Sequence, residues 1–424
     1  MSASTNGKPK TKKRSKKLPP KTLKVIEAEL GDHLGDTFRP QTPLDQQTLE
    51  PPIRRPRSPT EDPRWSTESR GLWNDIKSLR WVVVPRSSLK LLLIPIALWA
   101  NWELLSPFVA KELPNPFAPL LFISHPVPSP PDDPRYQKGY LDLAFIAYYV
   151  VVWSWFRQAI ILHIWKPFGR SYGIKKNAKL DRLGEQGHAM VYFAITAIWG
   201  WRIMRSLPTW WYRTAYFWID YPHWDMKAEL KAYYLMQAAY WIQQFMVLIL
   251  KLEKPRKDYT ELVAHHLVTL WLIGWSYLTN LTLIGNAVFL SMDLPDSFLA
   301  LSKILNYLQY DNAKIWVFVF FMLIWTYFRH WLNIVMLWSV WSEFRLMPET
   351  SKRWSPDDGV WMVWWMQYQV FVPILLLQFL NIFWYIMFIL RVALRAILER
   401  TATDVRSDDE DDGEPDEVED KKNN

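Results

Sequence analysis

Residues 265–308 read HHLVTLWLIGWSYLTNLTLIGNAVFLSMDLPDSFLALSKILNYL. The stretch is apolar enough to lie within a bilayer, yet it holds an adjacent pair, His265 and His266, and two aspartates, Asp293 and Asp296. A charged side chain at membrane depth costs about 2.5–3.5 kcal/mol on insertion scales, so it is rarely kept there without a task. Two imidazoles and two carboxylates on consecutive membrane helices point to a proton-transfer site and to chemistry on a lipid.

Helix geometry sorts these groups. Neighbouring residues on an α-helix point about 100° apart, so the two histidines face differently. His265 shares a stripe with Thr269, Leu272 and Ser276; His266 shares one with Thr269, Leu270, Ile273 and Asn280. One imidazole can meet a substrate while the other orients it or relays protons. Two interface histidines bonded to backbone are the plainer reading, and the facing carboxylates weigh against it. Asp293, Asp296, Ala300, Lys303 and Tyr307 recur every three or four residues and form one face of the next helix. Pro295 removes a backbone donor there and is expected to kink or open the helix. Either aspartate could hold an imidazole in the tautomer that base catalysis needs; an Asp–Lys pair that only ties helices together is the alternative. Arg329, His330 and Asn333 fall midway along the following apolar stretch, where an arginine needs a partner; Asp293 or Asp296 is the expected one, with a substrate phosphate or carbonyl as the other choice. Gln237, Gln244, Gln378 and Asn381 read as interhelical hydrogen-bond glue.

Outward from this stretch the chain divides into unlike parts. Residues 1–80 are rich in Pro, Lys, Arg and Ser, with the basic run KPKTKKRSKK, and are expected to form a disordered N-terminal tail. Residues 81–138 should supply a first transmembrane anchor and a proline-rich luminal loop. Residues 139–398 should form the catalytic membrane domain, and residues 399–424 an acidic disordered tail. The 27 Trp and 19 Tyr suit a membrane protein, in which such rings collect at both interfaces. The near-zero mean hydropathy reflects polar tails diluting an apolar middle. Cysteine is absent, which excludes disulfides, thiolate metal sites and a cysteine acyl-enzyme.

Spans are expected near 88–108, 139–165, 188–207, 233–250, 262–284, 287–308, 314–342 and 361–390, giving an all-α bundle of about eight transmembrane helices. No cleavable signal peptide is expected. The short basic loops KPFGRSYGIKKNAKLDR and KLEKPRKD, with the basic N-terminal tail, place both termini in the cytosol. Lys421 and Lys422 then form a dilysine end that retrieval machinery could read, which suggests the endoplasmic reticulum. Ser407, ahead of a run of Asp and Glu, suits an acidophilic kinase, so a phosphoprotein is expected. Metal-dependent hydroxylases and desaturases need several histidine clusters, and eight histidines with one His-His pair do not supply them; no metal is expected. The sequon Asn280-Leu281-Thr282 abuts the membrane and should go unused.

Over these residues the chain resembles the ceramide synthases, the longevity-assurance family within the TLC superfamily. The resemblance rests on His265-His266, Ser276-Tyr277, Asn280 with Gly285 (one residue beyond the family's usual step), Asp293, Asp296, Lys303 and Tyr307. Loop 109–138 has no room for a homeobox-like insertion, which makes a fungal-type enzyme the nearer relative. The resemblance implies a TLC fold and N-acylation of a sphingoid base (sphingosine, dihydrosphingosine or phytosphingosine) by fatty acyl-CoA in the endoplasmic reticulum membrane. His265 or His266 would act as general base or acyl-accepting nucleophile, with Asp293 and Asp296 in support. Ser276, Asn280, Lys303, Tyr307, Arg329, His330 and Asn333 would bind substrate. No cofactor is needed, since acyl-CoA is a co-substrate. The resemblance further implies a small single-span accessory subunit, leaves a homo- or heterodimer open, and gives no role to nucleic acid. The competing readings are a non-enzymatic TLC-fold protein that binds lipid or assists translocation, and a proton-coupled transporter. The first has no need of the histidines and aspartates together; the second is disfavoured by the lack of internal repeats.

Overall fold

The computed structural model describes residues 68–109, 113–252 and 258–398. Residues 1–67 of the expected N-terminal tail, the expected acidic tail with Ser407, Lys421 and Lys422, and most of KLEKPRKD lie outside these residues. Residues 68–80, expected as the end of the disordered N-terminal tail, are instead ordered: Leu72–Lys77 is helical, and the buried Asp75 accepts from Ser69 and Ser87, which ties the segment to the start of the first long helix. Eight long helices dominate: α1 (Pro85–Val109), α2 (Leu141–Ile160, continued through a π-helical turn to Ser171), α3 (Asn177–Arg205), α4 (Ala228–Ile249), α5 (Tyr259–Leu278), α6 (Thr282–Tyr307), α7 (Asp311–Trp325, continued to Ser342) and α8 (Met366–Trp384, continued to Leu398). Each corresponds to one expected span. The largest departure is α3, which starts eleven residues early (188 − 177) because the polar NAKLDRLGEQ continues the helix rather than lying in a loop. The basic segment after the second span is therefore mostly helical, and Lys166 pairs with Asp181 at 2.5 Å.

Four helices, α1, α2, α7 and α8, are both long and apolar enough to cross a membrane. The other four, α3 to α6, are 20–29 residues long, which at 1.5 Å per residue reaches across a hydrocarbon core of ~30 Å. Three of them, α4 to α6, carry most of the polar groups that line the site, with Arg329 of α7. The chain is thus a polytopic membrane helix bundle. On α7, Trp316, Phe320, Leu323, Tyr327, Trp331, Ile334, Trp338 and Trp341 are all exposed and follow steps of three and four, which is the stripe a helix turns toward lipid.

Helix α6 is the centre of the bundle. Sixteen of its 26 residues are buried, and it packs along α3 and α7. It runs unbroken through Pro295, so the expected opening of the helix does not occur. A proline costs a helix only one donor, and here the flanking helices hold the turn; the neighbouring Met292 carbonyl accepts from Arg329 Nη2 at 2.9 Å. Helices α4, α5, α7 and α8 complete a ring with α6, through contacts of α5 with α4 and α8, and of α7 with α6 and α8.

The expected proline-rich loop after α1 carries regular structure. It contains a helical turn (Ala118–Leu121) and joins a small antiparallel sheet of Pro126–Val127, Arg135–Tyr136 and Met226–Lys227, with Val127 opposite Arg135 and Tyr136 opposite Met226. A buried ammonium explains the order. Lys231 of α4, fully buried, pairs with Asp142 of α2 at 2.7 Å and donates to the carbonyls of Ser124 (2.7 Å) and Gln137 (2.6 Å). Lys138 donates to the Leu278 carbonyl at the end of α5, and burial pulls its amine down to about 8. Lys231→Met strands the Asp142 carboxylate and is expected to cost roughly 3–5 kcal/mol of stability, because removing one partner of a buried pair leaves an uncompensated charge. A thermal melt of purified protein checks this; a midpoint equal to wild type would refute the pair's structural role.

Candidate active site

A cleft of about 730 Å³, counting its open mouth, lies among α4, α5, α6, α7 and α8. Its walls are mainly apolar, among them Leu272, Ile284, Val288, Phe289, Ile374 and Leu377. Its carboxylates, guanidinium and imidazole come from three helices: His265 of α5, Asp293 and Asp296 of α6, and Arg329 of α7.

The helical stripe read from the sequence accounts for the α5 wall: His265, Thr269, Leu272 and Ser276 all line the cleft. His265 is 9% exposed and packs edge-on against Trp241 (5.6 Å between ring centres) and Trp384 (5.3 Å). Its Nδ1 has no hydrogen-bond partner. His266 is turned away from the cleft. Its Nδ1 lies 2.8 Å from the Leu262 carbonyl, one turn back on the same helix, and its ring lies parallel to that of Phe245. Adjacency on a helix puts only one of the pair on the cleft, as the 100° step requires.

The two aspartates also divide. Asp293, fully buried, accepts from Gln237 Nε2 of α4 at 2.6 Å through Oδ2, while its Oδ1 has no bonded partner. Asp296 forms an ion pair with Arg329 Nη2 at 2.6 Å. Among the described residues neither aspartate bonds His265, so the expected carboxylate–imidazole hydrogen bond is absent from this geometry: Asp293 Oδ2 is turned to Gln237 and Asp296 to Arg329. Of the two partners expected for the intramembrane arginine, the structure gives Asp296. Arg329 sits in a π-helical turn (Thr326–Leu332), stacks over Trp325 at 4.1 Å and also donates to Asn381 Oδ1 at 3.3 Å. Such widened turns shift the residues that follow around the helix axis and recur at functional sites.

Other expected site residues lie apart from the cleft. His330 Nδ1 accepts from Gln378 Nε2 at 2.9 Å, and Asn333 donates to Gln378 Oε1 at 2.7 Å, a bonding set between α7 and α8. Lys303 and Tyr307 are half-buried further along α6, beyond Asp296. Asn280 is buried in the turn between α5 and α6 with φ 61°, a left-handed conformation that asparagine tolerates, and its burial agrees with an unused sequon. Ser276 does reach the cleft and shares a hydrogen bond with the Tyr234 hydroxyl.

Sequence reasoning missed Gln237 as a site residue. As expected of interhelical glue it bridges α4 to α6, but it also joins Asp293 to Tyr192 (2.5 Å) and Tyr233 (3.1 Å) in a buried network. A lone glutamine in an apolar helix carries no signal of its partner. Gln378 and Asn381 are interhelical as expected, whereas Gln244 bonds its neighbour Gln243.

An apolar cleft with an unpaired imidazole nitrogen and a buried carboxylate at one end suits proton transfer on an amphipathic substrate. Comparison with known proteins agrees with a lipid enzyme. The TLC-domain family matches residues 182–390, which take in α4 to α7 whole and most of α3 and α8. Sphingosine N-acyltransferase lac1 of Schizosaccharomyces pombe is 41% identical over 305 residues, covering 72% of this chain and 78% of the relative. Ceramide synthase LAG1 of Saccharomyces cerevisiae is 38% identical over 279 residues, covering 65% of this chain and 66% of the relative. Ceramide synthase LOH1 of Arabidopsis thaliana is 28% identical over 249 residues, 57% of this chain. A shared domain and identity of this extent place the chain in the ceramide synthase (LAG1) family of TLC-domain membrane enzymes.

Proposed function

We propose that the protein is a ceramide synthase, transferring a fatty acyl group from coenzyme A to the primary amine of a sphingoid base. The observation that carries this reading is the unpartnered Nδ1 of His265 at the polar end of a long apolar cleft. The relatives named above, called sphingosine N-acyltransferases and ceramide synthases, support the same substrates.

In this reading the amine nitrogen attacks the thioester carbonyl, a C–N bond forms, the C–S bond breaks, and coenzyme A leaves as the thiol. His265 accepts the amine proton and returns it to the departing sulfur, so protons balance over the cycle. The Asp293 carboxylate, held by Gln237 and lining the same cleft, would offset the imidazolium charge. Arg329 and Asp296 offset one another and fix α7 against α6. Acylation of His265 before amine attack is the other route, and a covalent adduct formed from acyl-CoA alone tells them apart. The chemistry uses no cofactor, and acyl-CoA enters as co-substrate.

Purified full-length protein given a sphingoid base and a series of acyl-CoAs should yield the amide, measured by mass. No amide from any acyl-CoA would overturn the proposal.

The address and partners belong to the same reading: eight crossings with a catalytic region over 139–398, residence in the endoplasmic reticulum, cytosolic termini, a single-span accessory subunit and a homo- or heterodimer. An epitope after residue 424 should be degraded when protease is added to sealed microsomes. Its protection would overturn both the eight crossings and the cytosolic reading of Lys421 and Lys422. Cross-linking of the solubilised full chain tests the partners.

A further inference from the structure

The cleft has a polar head and an apolar tail. Ser276 lies eleven residues beyond His265 on α5 (276 − 265), about 16 Å along the axis. Over that length Leu272, Ile284, Val288, Phe289 and Val370 leave a path without charge. At the tail Tyr234 crosses from α4. It is 1% exposed, its hydroxyl bonds Ser276 Oγ on α5, and it presses on α6 at Gly285, where even a Cβ would overlap the hydroxyl. Gly285 is therefore the position that lets this ring span the cleft between two helices.

The ring is also backed. Tyr277 stacks behind it at 5.6 Å, and the Tyr277 hydroxyl donates to Asp142 Oδ2 at 2.8 Å, in the same buried cluster as Lys231. A side chain anchored in front by Ser276 and braced behind by a buried ion pair has little room to yield.

We propose that Tyr234 is the chain-length stop of this enzyme: its ring, admitted by Gly285 and anchored by Ser276, sets the longest acyl chain that the cleft takes. The inference rests on the N-acyltransferase reading above, with the acyl carbonyl at His265 and the chain running toward the tail. Each methylene that fits adds apolar burial, while the first to meet the ring has nowhere to go. A pocket of this kind separates substrates differing by one methylene by about tenfold or more.

The test is a competition. Full-length protein receives one sphingoid base and an equimolar mixture of acyl-CoAs from short to very long, and the amides are quantified by mass in one reaction. The ratio of products is read, so a uniform loss of rate does not move it. Tyr234→Leu should shift the most abundant product upward by about one or two two-carbon steps, because truncation leaves a space that neighbours refill only in part. Ser276→Ala, which cuts the anchor and keeps the ring, should broaden the products toward longer chains, and it decides the matter if Tyr234→Leu does not accumulate. Wild-type ratios in the variants that turn over would overturn the stop. A second competition, with one acyl-CoA and an equimolar mixture of sphingoid bases of different length, reads the other substrate; a shift there with the acyl ratio unmoved would also overturn the stop, since that would put the base in the tail. If the wild-type protein makes no amide at all, the N-acyltransferase reading itself fails; amide with unmoved ratios removes only the stop.

Discussion

His265→Ala is expected to lower amide formation by about 10³-fold or more, near the upper part of what a positioned acid–base group contributes, while His266→Ala costs only about tenfold through lost positioning. The asymmetry follows from the one-residue step on α5. The His265 ring lines the cleft between Trp241 and Trp384, with Nδ1 unpartnered, whereas His266 bonds the Leu262 carbonyl and packs on Phe245. Initial rates at matched protein levels measure both losses. Equal loss in both variants would show that the pair acts as a unit and that the division into a cleft residue and a supporting residue is wrong.

The second large effect concerns Arg329 and Asp296. Asp296→Leu leaves the guanidinium, 4% exposed, without its 2.6 Å carboxylate partner in the bundle interior. A loss of roughly 3–5 kcal/mol is expected, as for other buried pairs broken on one side. Arg329→Leu should cost less, because the Asp296 side chain remains 21% exposed toward the cleft and can be solvated there. Arg329→Lys should not rescue, since an ammonium cannot serve Asp296, the Met292 carbonyl and Asn381 together in the planar arrangement seen here. The double substitution of both residues to leucine should recover most of the thermal stability, because replacing a whole buried pair with apolar groups is often neutral. Activity should stay low in that double variant if the pair also shapes the head of the cleft. Wild-type activity in it would reduce the pair to a helix tie.

The reading of residues 265–308 explains why so much of the site was legible. Periodicity on one helix depends only on the step between residues, so the stripe of His265, Thr269, Leu272 and Ser276 could be drawn before any fold was known, and all four line the cleft. Arg329 needed a carboxylate because a lone charge at that depth is costly, and only two candidates were near in the pattern. His330 and Asn333 were grouped with Arg329 by proximity, yet the π-helical turn changes the angular register after Thr326, and both residues bond Gln378 instead. No propensity marks such a turn.

What the sequence determined by itself was local or compositional: long apolar helices broken by polar punctuation, the face each ionisable group takes on its own helix, and a residue pattern shared with a family. Tertiary structure alone decided the pairings between helices. It gave Asp296 to Arg329 and Asp293 to Gln237, left His265 without a carboxylate, and brought Tyr234 against Gly285 to close the tail of the cleft. The physical reason is that a side chain's angular position is fixed by its own helix, whereas its partner is fixed by how neighbouring helices slide and rotate as they pack. That second quantity depends on contacts distributed along α3 to α8, and no short stretch of sequence contains it.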